Sequence, residues 1–518
     1  MKPLILPLLA VSFALSVSGA APDPSLFEID SRLQIQLFAA EPQVVDPVGL
    51  TFDEAGRMYV VEMRDYPYGI GPERKPGGVI RLIEDTNGDG KADRSTIFAK
   101  DLSFPTSIVP WEGGVFVTAP PEIIYLKDTD GDGVADVREV YFTGFVRGVT
   151  DSNVNGLRWG LDNRIHGVNG GNGGIVRALK YSQPPLLLDG SDFSFDPRTG
   201  EIAATYQTSG GFGLVFDDFG HSFVTYNINH IQERIIPLKA LNRLPGMLSV
   251  EATQNISDHG DMARIFPVSV AQTRPNHPEQ AGFFSSAGGL GFIGFDAYPG
   301  DIPGSITVGD VVGNLVHRDV LQTNGPVFLA RRSESETNRE FLASHDNACR
   351  LTGLELGPDG ALYVIDMQRD VIEHPDYIPK KMLEKINIRA GEDRGRIYRI
   401  TPKDGLPKTE FNLATASVDQ LVTELQSHNQ WRRMTAQRLL IQKRASAMYA
   451  KLASIVERSI YQPARVNALW TLEGLHRLPE TTLRQVLRDP NEGIVENAIQ
   501  IVEARQSNIP ETLSLLAP

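Results

Sequence analysis

The 518-residue chain has a single cysteine, Cys349, so it can form no internal disulfide, no CxxC zinc site and no CxxCH attachment for covalent haem. In "HDNACRL" that thiol is expected to be a small buried apolar side chain. Basic charge is also short, with 50 Lys and Arg against 64 Asp and Glu, a net charge of -14 and no Lys/Arg cluster. Nucleic acid is bound through such clusters, so it is excluded as a partner. Beyond the first residues no run approaches the ~18 apolar residues of a membrane-spanning helix. Neither H-E-x-x-H nor G-x-S-x-G occurs. "GLGFIG" (289–294) fits G-x-G-x-x-G, but it is read as following no strand and opening no helix, which argues against a dinucleotide site.

What is present begins with "MKPLILPLLAVSFALSVSGA", one Lys, an apolar run and small residues before Ala21. This predicts a signal peptide over residues 1–20. No Cys lies near the cleavage point, so a lipid anchor is not expected. The mature protein is expected to be soluble and exported, periplasmic or extracellular, with no integral membrane span after cleavage. With 41% hydrophobic residues the rest can bury large cores and is expected to hold two domains.

Six segments alternate apolar and polar residues around a tight turn: 48–63, 106–120, 155–169, 212–227, a looser one at 292–310, and 352–367, as in "TGLELGPDGALYVIDM". Period two around D-x-x-G or E-G-G is the signature of a β-hairpin. Further strand-like text follows each hairpin, which predicts a mainly β protein with a six-bladed β-propeller over 30–404. The lone strand "RLQIQLFAAE" (32–41) is expected to complete the last blade. From 412 to 518 the period becomes helical. "WRRMTAQRLL", "PARVNALWTL" and "GIVENAIQIV" align on Ala436, Ala468 and Ala498, roughly 30 residues apart, which predicts HEAT-like helix pairs. The array reaches Pro518 without a polar capping repeat, and so reads as part of a longer solenoid. The charges of "WRRM" and "LIQKR" read as solvated faces and packing.

Two acidic loops stand out. "DTNGDGKAD" offers Asp85, Asn87, Asp89, the Lys91 carbonyl and Asp93; "DTDGDGVAD" offers Asp128, Asp130, Asp132, the Val134 carbonyl and Asp136, with Glu139 in the twelfth place. The second meets the full D-x-D-x-D-G-x5-E pattern of a calcium loop, whereas the first has Thr96 in that twelfth place. All-oxygen ligands select Ca2+ over zinc or copper. Strands flank both loops, so these are structural calcium sites rather than EF-hand sensors, and strand parity puts both on the bottom rim with the D-x-x-G turns.

The same parity sends other polar segments to the top, around the channel: Arg64, Asp65 and Tyr66; Asn155; His166 and Asn169; Asn227, Asn229 and His230; Arg274 and His277; Asp310 and Asn314; Arg350; and Asp366, Arg369 and His374. Histidines with Arg, Asp and Asn over one channel predict a small-molecule or carbohydrate pocket.

"VEMRDYPYG", "DTNGDGKAD", "FGLVFDDFGHSFVTYNINHIQ", "GNLVHRDVL", "VIEHPDYIP" and "EDRGRIYRITP" together resemble the exported bacterial proteins called PVC-type haem-binding proteins or membrane-bound dehydrogenases. That resemblance, over roughly 30–505, implies a propeller related to soluble quinoprotein sugar dehydrogenases, then HEAT repeats and a CxxCH cytochrome domain, which Cys349 alone cannot supply. It implies oxidation of a sugar-like substrate, pyrroloquinoline quinone as cofactor, and a cytochrome-type electron acceptor docking on the HEAT repeats. Such dehydrogenases carry a base in an H-x-x-G-x-L setting; here the comparable text is "SNVNGL", without His. Two readings stay open. Either His166 or His230 takes the proton while Arg64, Arg274 or Arg350 stabilises the charge that develops, or the propeller is a non-catalytic glycan- or protein-binding scaffold.

Overall fold

The computed structural model describes residues 21–207, 211–243, 251–270, 278–409 and 412–505. The signal-like segment 1–20, Arg274 and His277 lie outside them. Six antiparallel sheets stand around one axis, each starting from an inner strand: Pro47–Phe52, Ser107–Trp111, Asn155–Trp159, Leu214–Phe216, Ala287–Phe292 and Leu351–Leu356. Neighbouring inner strands touch in ring order and the sixth returns to the first. The protein is therefore a six-bladed propeller followed by a helical region. Alternating side chains pack in the seams between sheets, for example Trp111 stacked on Trp159 with centroids 5.3 Å apart.

The ring closes as expected from the lone N-terminal strand: Leu33–Ala40 pairs antiparallel with Arg396–Pro402 and forms the outer edge of the sixth blade. Two blades are larger than the sequence pattern indicated. Gly174–Ala178 and Leu186–Leu188 extend the second sheet, and Val327–Arg332, Leu342–Ser344 and Phe27–Ile29 widen the fifth. "GLGFIG" also differs from its reading, since Gly289–Phe292 form most of the fifth inner strand. Its glycines answer to packing: a Cβ on Gly289 would lie 2.3 Å from the Thr352 carbonyl oxygen of the sixth blade.

Both acidic loops join third to fourth strands, at the same end as the turns between first and second strands. Each ties its blade to the one before. Ala92 N donates to Phe38 O at 2.8 Å, linking the first blade to the N-terminal strand, and Ala135 N donates to Phe98 O at 2.8 Å, linking the second to the first.

The helical region forms three pairs, each a shorter helix followed by a longer one: Val418–Glu424 with Gln430–Gln442, Tyr449–Arg458 with Gln462–Gly474, and Glu480–Val486 with Glu492–Arg505. Ser417 and Gln420 form a capping box at the first helix, and Asn429 caps the second. Ala436, Ala468 and Ala498 are buried in the three longer helices. These lie against the bottom of the propeller, where five of the six blades present their first turn. Arg438 reaches Glu54 (3.2 Å), Gln437 the Leu161 carbonyl (2.8 Å), Asn497 the Phe219 carbonyl (2.9 Å), Gln430 N the Gly294 carbonyl (2.8 Å) and Asn429 the Gly357 carbonyl (3.1 Å). The charges of "WRRM" are not a solvated face. Arg432 and Arg433 are buried, paired with Glu424 and Asp218.

His221 clasps the two regions together, its Nδ1 2.6 Å from Asp217 and its Nε2 2.9 Å from Glu496 on the last helix. Burial depresses the imidazole, but the bonds to Asp217 and then Glu496 outweigh it and hold the pKa up to about 10. The folded value lies above the unfolded one, so this contribution is complete below pH ~6.5 and is lost as the pH rises through about 10. His221→Gln should therefore lower the melting temperature at pH 6, and the gap to wild type should close above pH 10. A gap that stays constant over that window would contradict the clasp.

Candidate functional site

The inner strands are rich in small residues, among them Gly49, Gly156, Gly288, Gly289 and Gly353, so the channel is not filled by side chains. It holds a cavity of about 910 Å³. Trp431, Met434 and Arg438 of the helix Gln430–Gln442 make its floor. Its roof comes from Tyr66, from Val149, Thr150, Ser152 and Asn153, and from the long connection between the second and third strands of the sixth blade, through Ile372, Tyr377 and Met382. Near the floor, Arg158 of the third blade crosses to Glu355 of the opposite sixth blade, with Nη2 2.6 Å from Oε2 and Nε donating to the Leu214 carbonyl at 3.0 Å.

The cavity's charged groups are already engaged. Of its three arginines, Arg158 holds Glu355, Arg438 holds Glu54, and Arg350 donates to the carbonyls of Arg369 (2.7 Å), Val311 (3.0 Å) and Asp370 (3.0 Å). Several neutral polar side chains differ. Tyr226, Asn227, Ser286 and Tyr377 line the cavity and make no side-chain hydrogen bond among the described residues. Asn227 and Ser286 are neighbours, since Ala287 N donates to the Asn227 carbonyl at 3.1 Å.

Of the residues expected at the top, Tyr66, Asn155, Asn227 and Arg350 line this cavity. The others among the described residues serve the loops and seams. Asp310 accepts from Gly313 N (2.7 Å) and Val312 N (3.0 Å), Asp366 from Arg350 N (2.8 Å) and Gln368 N (3.0 Å), and Asp65 from Phe104 N (2.8 Å). Each is a buried carboxylate that organises a top loop, with its pKa raised by burial. Arg369 is paired with Asp46 and Arg64 with Glu62. Asn169 donates to the Asn172 carbonyl (2.6 Å) and Asn314 to that of Asn347 (3.3 Å), while Asn229 starts a third strand. His374 accepts from Asp376 N (3.3 Å), with its ring edge on Tyr68. Cys349 is buried, and burial pushes its thiol well above the ordinary value.

Neither candidate base reaches the cavity, and among the described residues lining it there is no histidine. His166 follows the bottom turn of the third blade, bonded to Asp162 (2.9 Å) and packed on Phe216. His230 lies in the seam between the fourth and fifth blades, fully buried, stacked on Phe284 with centroids 4.3 Å apart. Burial drives its pKa down to about 4 despite a bond to Asp319. His317 is pushed up to about 9, because Asp319 and Glu340 overcome the cost of its burial. His317 and His259, which complete this cluster, were not singled out in the sequence. The H-x-D spacing of His317 and Asp319 was the available signal, since alternate strand residues share a face.

In the acidic loops the carboxylates accept the loops' own backbone. Asp85 takes Gly88 N and Gly90 N (both 2.8 Å), Asn87 takes Asp89 N (2.8 Å), Asp89 takes Lys91 N (2.9 Å), and Asp93 takes Thr86 N (3.2 Å). Asp128 takes Gly131 N (2.7 Å) and Gly133 N (2.9 Å), Asp132 takes Val134 N (2.8 Å), and Asp136 takes Thr129 N (3.2 Å). Oxygens of Asp128, Asp130 and Asp132 converge within 4.8 Å of one another. Glu139 is engaged by Lys180 Nζ at 2.9 Å.

These features define a six-bladed propeller whose channel is floored by helices and roofed by loops. The chain belongs to the family described as a domain of unknown function, DUF7133, whose model matches residues 23–404. No curated protein matches it. Similar solved structures include an oxidoreductase (glucose dehydrogenase) from Thermus thermophilus, 18% identical over 71% of this chain and 100% of that one, with a TM-score of 0.42. The soluble aldose sugar dehydrogenase of Escherichia coli, in its apo-form, is 13% identical over 72% and 100%, with a TM-score of 0.39. The PQQ domain of pyranose dehydrogenase from Coprinopsis cinerea, in its holo form, is 11% identical over 72% and 97%, with a TM-score of 0.41. No helix of the described residues is long and apolar enough to cross a membrane.

Proposed function

We propose that the axial cavity binds a neutral, sugar-like small molecule. The observation that carries this is the set of uncommitted neutral polar groups, Tyr226, Asn227, Ser286 and Tyr377, in a cavity whose charges are satisfied. Hydroxyl-rich ligands pair with such amides and hydroxyls, and two tyrosine rings offer faces to the C–H side of a sugar. Binding is favoured over oxidation because, among the described residues, no imidazole lines the cavity to take a hydroxyl proton. Pyrroloquinoline quinone would bring three carboxylates beside Glu355, Asp370 and Glu373, and to neutralise them one of the arginine contacts would have to open.

Calcium in the two acidic loops belongs to the same reading, as does export through residues 1–20 into a calcium-containing compartment. A protein partner, such as a cytochrome-type acceptor, would meet the outer helices of the HEAT-like region, since the inner ones face the propeller. The test is a melting-temperature panel of neutral sugars and sugar acids, with and without the quinone, alongside dye reduction. Neutral sugars should raise the melting temperature without quinone, and Asn227→Ala should weaken the best of them about tenfold. Stabilisation only with quinone, together with turnover, would establish the dehydrogenase reading instead. No response to any sugar would remove both.

A further inference from the structure

We infer that His230, His259, His317 and Asp319 bind one first-row divalent metal ion, with zinc the best match, and that this ion pins the fourth blade to the fifth. The site is independent of the axial cavity. His230 comes from the third strand of the fourth blade, His259 from the loop after that blade's outer strand, and His317 and Asp319 from the third strand of the fifth. Three imidazoles converge on one carboxylate, with Nε2 of His230, His259 and His317 lying 2.9, 3.0 and 3.1 Å from the Asp319 oxygens. One donor atom from each residue falls within 4.8 Å of all the others. Zinc bonds of about 2.0–2.1 Å in a tetrahedron set their donors about 3.3 Å apart, so small rotations of these side chains would complete the shell.

The surroundings are those of a metal site. Glu340 accepts from His317 Nδ1 at 2.9 Å, and Asp258 faces His259 Nδ1 at 2.6 Å, so two rings are held by the nitrogen a metal would not use. Glu340 is itself fixed by Arg332 Nη1 (3.0 Å) and Phe266 N (2.9 Å). Three imidazole nitrogens with one oxygen suit zinc or its first-row neighbours and not calcium or magnesium. His230, His317 and Asp319 are fully buried and His259 is 19% exposed, so among the described residues the way in for an ion is past His259. Four protein donors leave no open position, so the ion's role is structural.

The experiment uses the full chain, stripped with a nitrogen-donor chelator that spares calcium and then desalted with zinc or cobalt. We expect about one zinc per chain by elemental analysis, and with cobalt the intense visible bands of a tetrahedral ion. His259→Gln sits at the exposed edge and should fold, yet weaken metal binding at least about tenfold. His317→Gln should do the same where it folds, whereas Asp130→Ala should leave zinc binding unchanged. Wild-type protein that takes up no zinc and gives no cobalt bands, or a His259→Gln variant that binds as tightly as wild type, overturns the inference.

Discussion

Arg369→Met should lower stability by about 3–5 kcal/mol, because it strands a buried carboxylate. Arg369 and Asp46 are both fully buried, joined by two bonds of 2.6 and 2.7 Å. The pair stands where the ring closes. Asp46 precedes the first inner strand, with its N–H on the Arg394 carbonyl and its own carbonyl taken by Met63 N, while Arg369 begins the long connection of the sixth blade. Burial already raises Asp46 to about 7 with the arginine present, so without it the carboxyl would protonate or the seam would open. Adding Asp46→Asn to Arg369→Met should recover part of the loss, since no charge is then left buried. Urea unfolding at pH 8 measures both; a single-variant loss below about 1 kcal/mol would mean that the seam holds without the pair.

Removing calcium should have an effect of similar size. A ligand present at a hundredfold its dissociation constant stabilises the folded state by about 2.7 kcal/mol per site, and two loops would double that. Each loop ties its blade to the preceding one, the first through Ala92 to Phe38 on the N-terminal strand, so its loss would loosen the ring at its closure. EDTA treatment, with zinc resupplied after desalting, should therefore lower the melting temperature, excess calcium should restore it, and Asp130→Ala should reproduce about half of the fall. A melting curve indifferent to EDTA would leave Asp128, Asp130 and Asp132 as turn-capping groups only.

The hairpins, the helical change of period and the closing strand were legible because they depend on spacing along the chain. The alternation around D-x-x-G gave the blades, and the same parity correctly sent the acidic loops to the bottom end. Destinations in the third dimension were not legible. Asp65, Asp310 and Asp366 looked like pocket residues because buried carboxylates that accept loop N–H groups have the same composition as a polar site. His166 and His230 were grouped by parity, yet a side chain on a blade can face a seam as readily as the axis, and both do. The floor of the cavity was hidden too, since Gln437 and Asn497 meet the propeller through backbone carbonyls, which leave no mark in a sequence.

The most direct measurement is calorimetric titration of the best-stabilising neutral sugar into wild type and into Asn227→Trp, which places a large ring among Tyr226, Ser286 and the roof. A site on the axis predicts a saturable isotherm with one sugar per chain for the wild type and none for the variant, while both melt alike without ligand. Equal binding by the two proteins would place the ligand elsewhere and contradict the account.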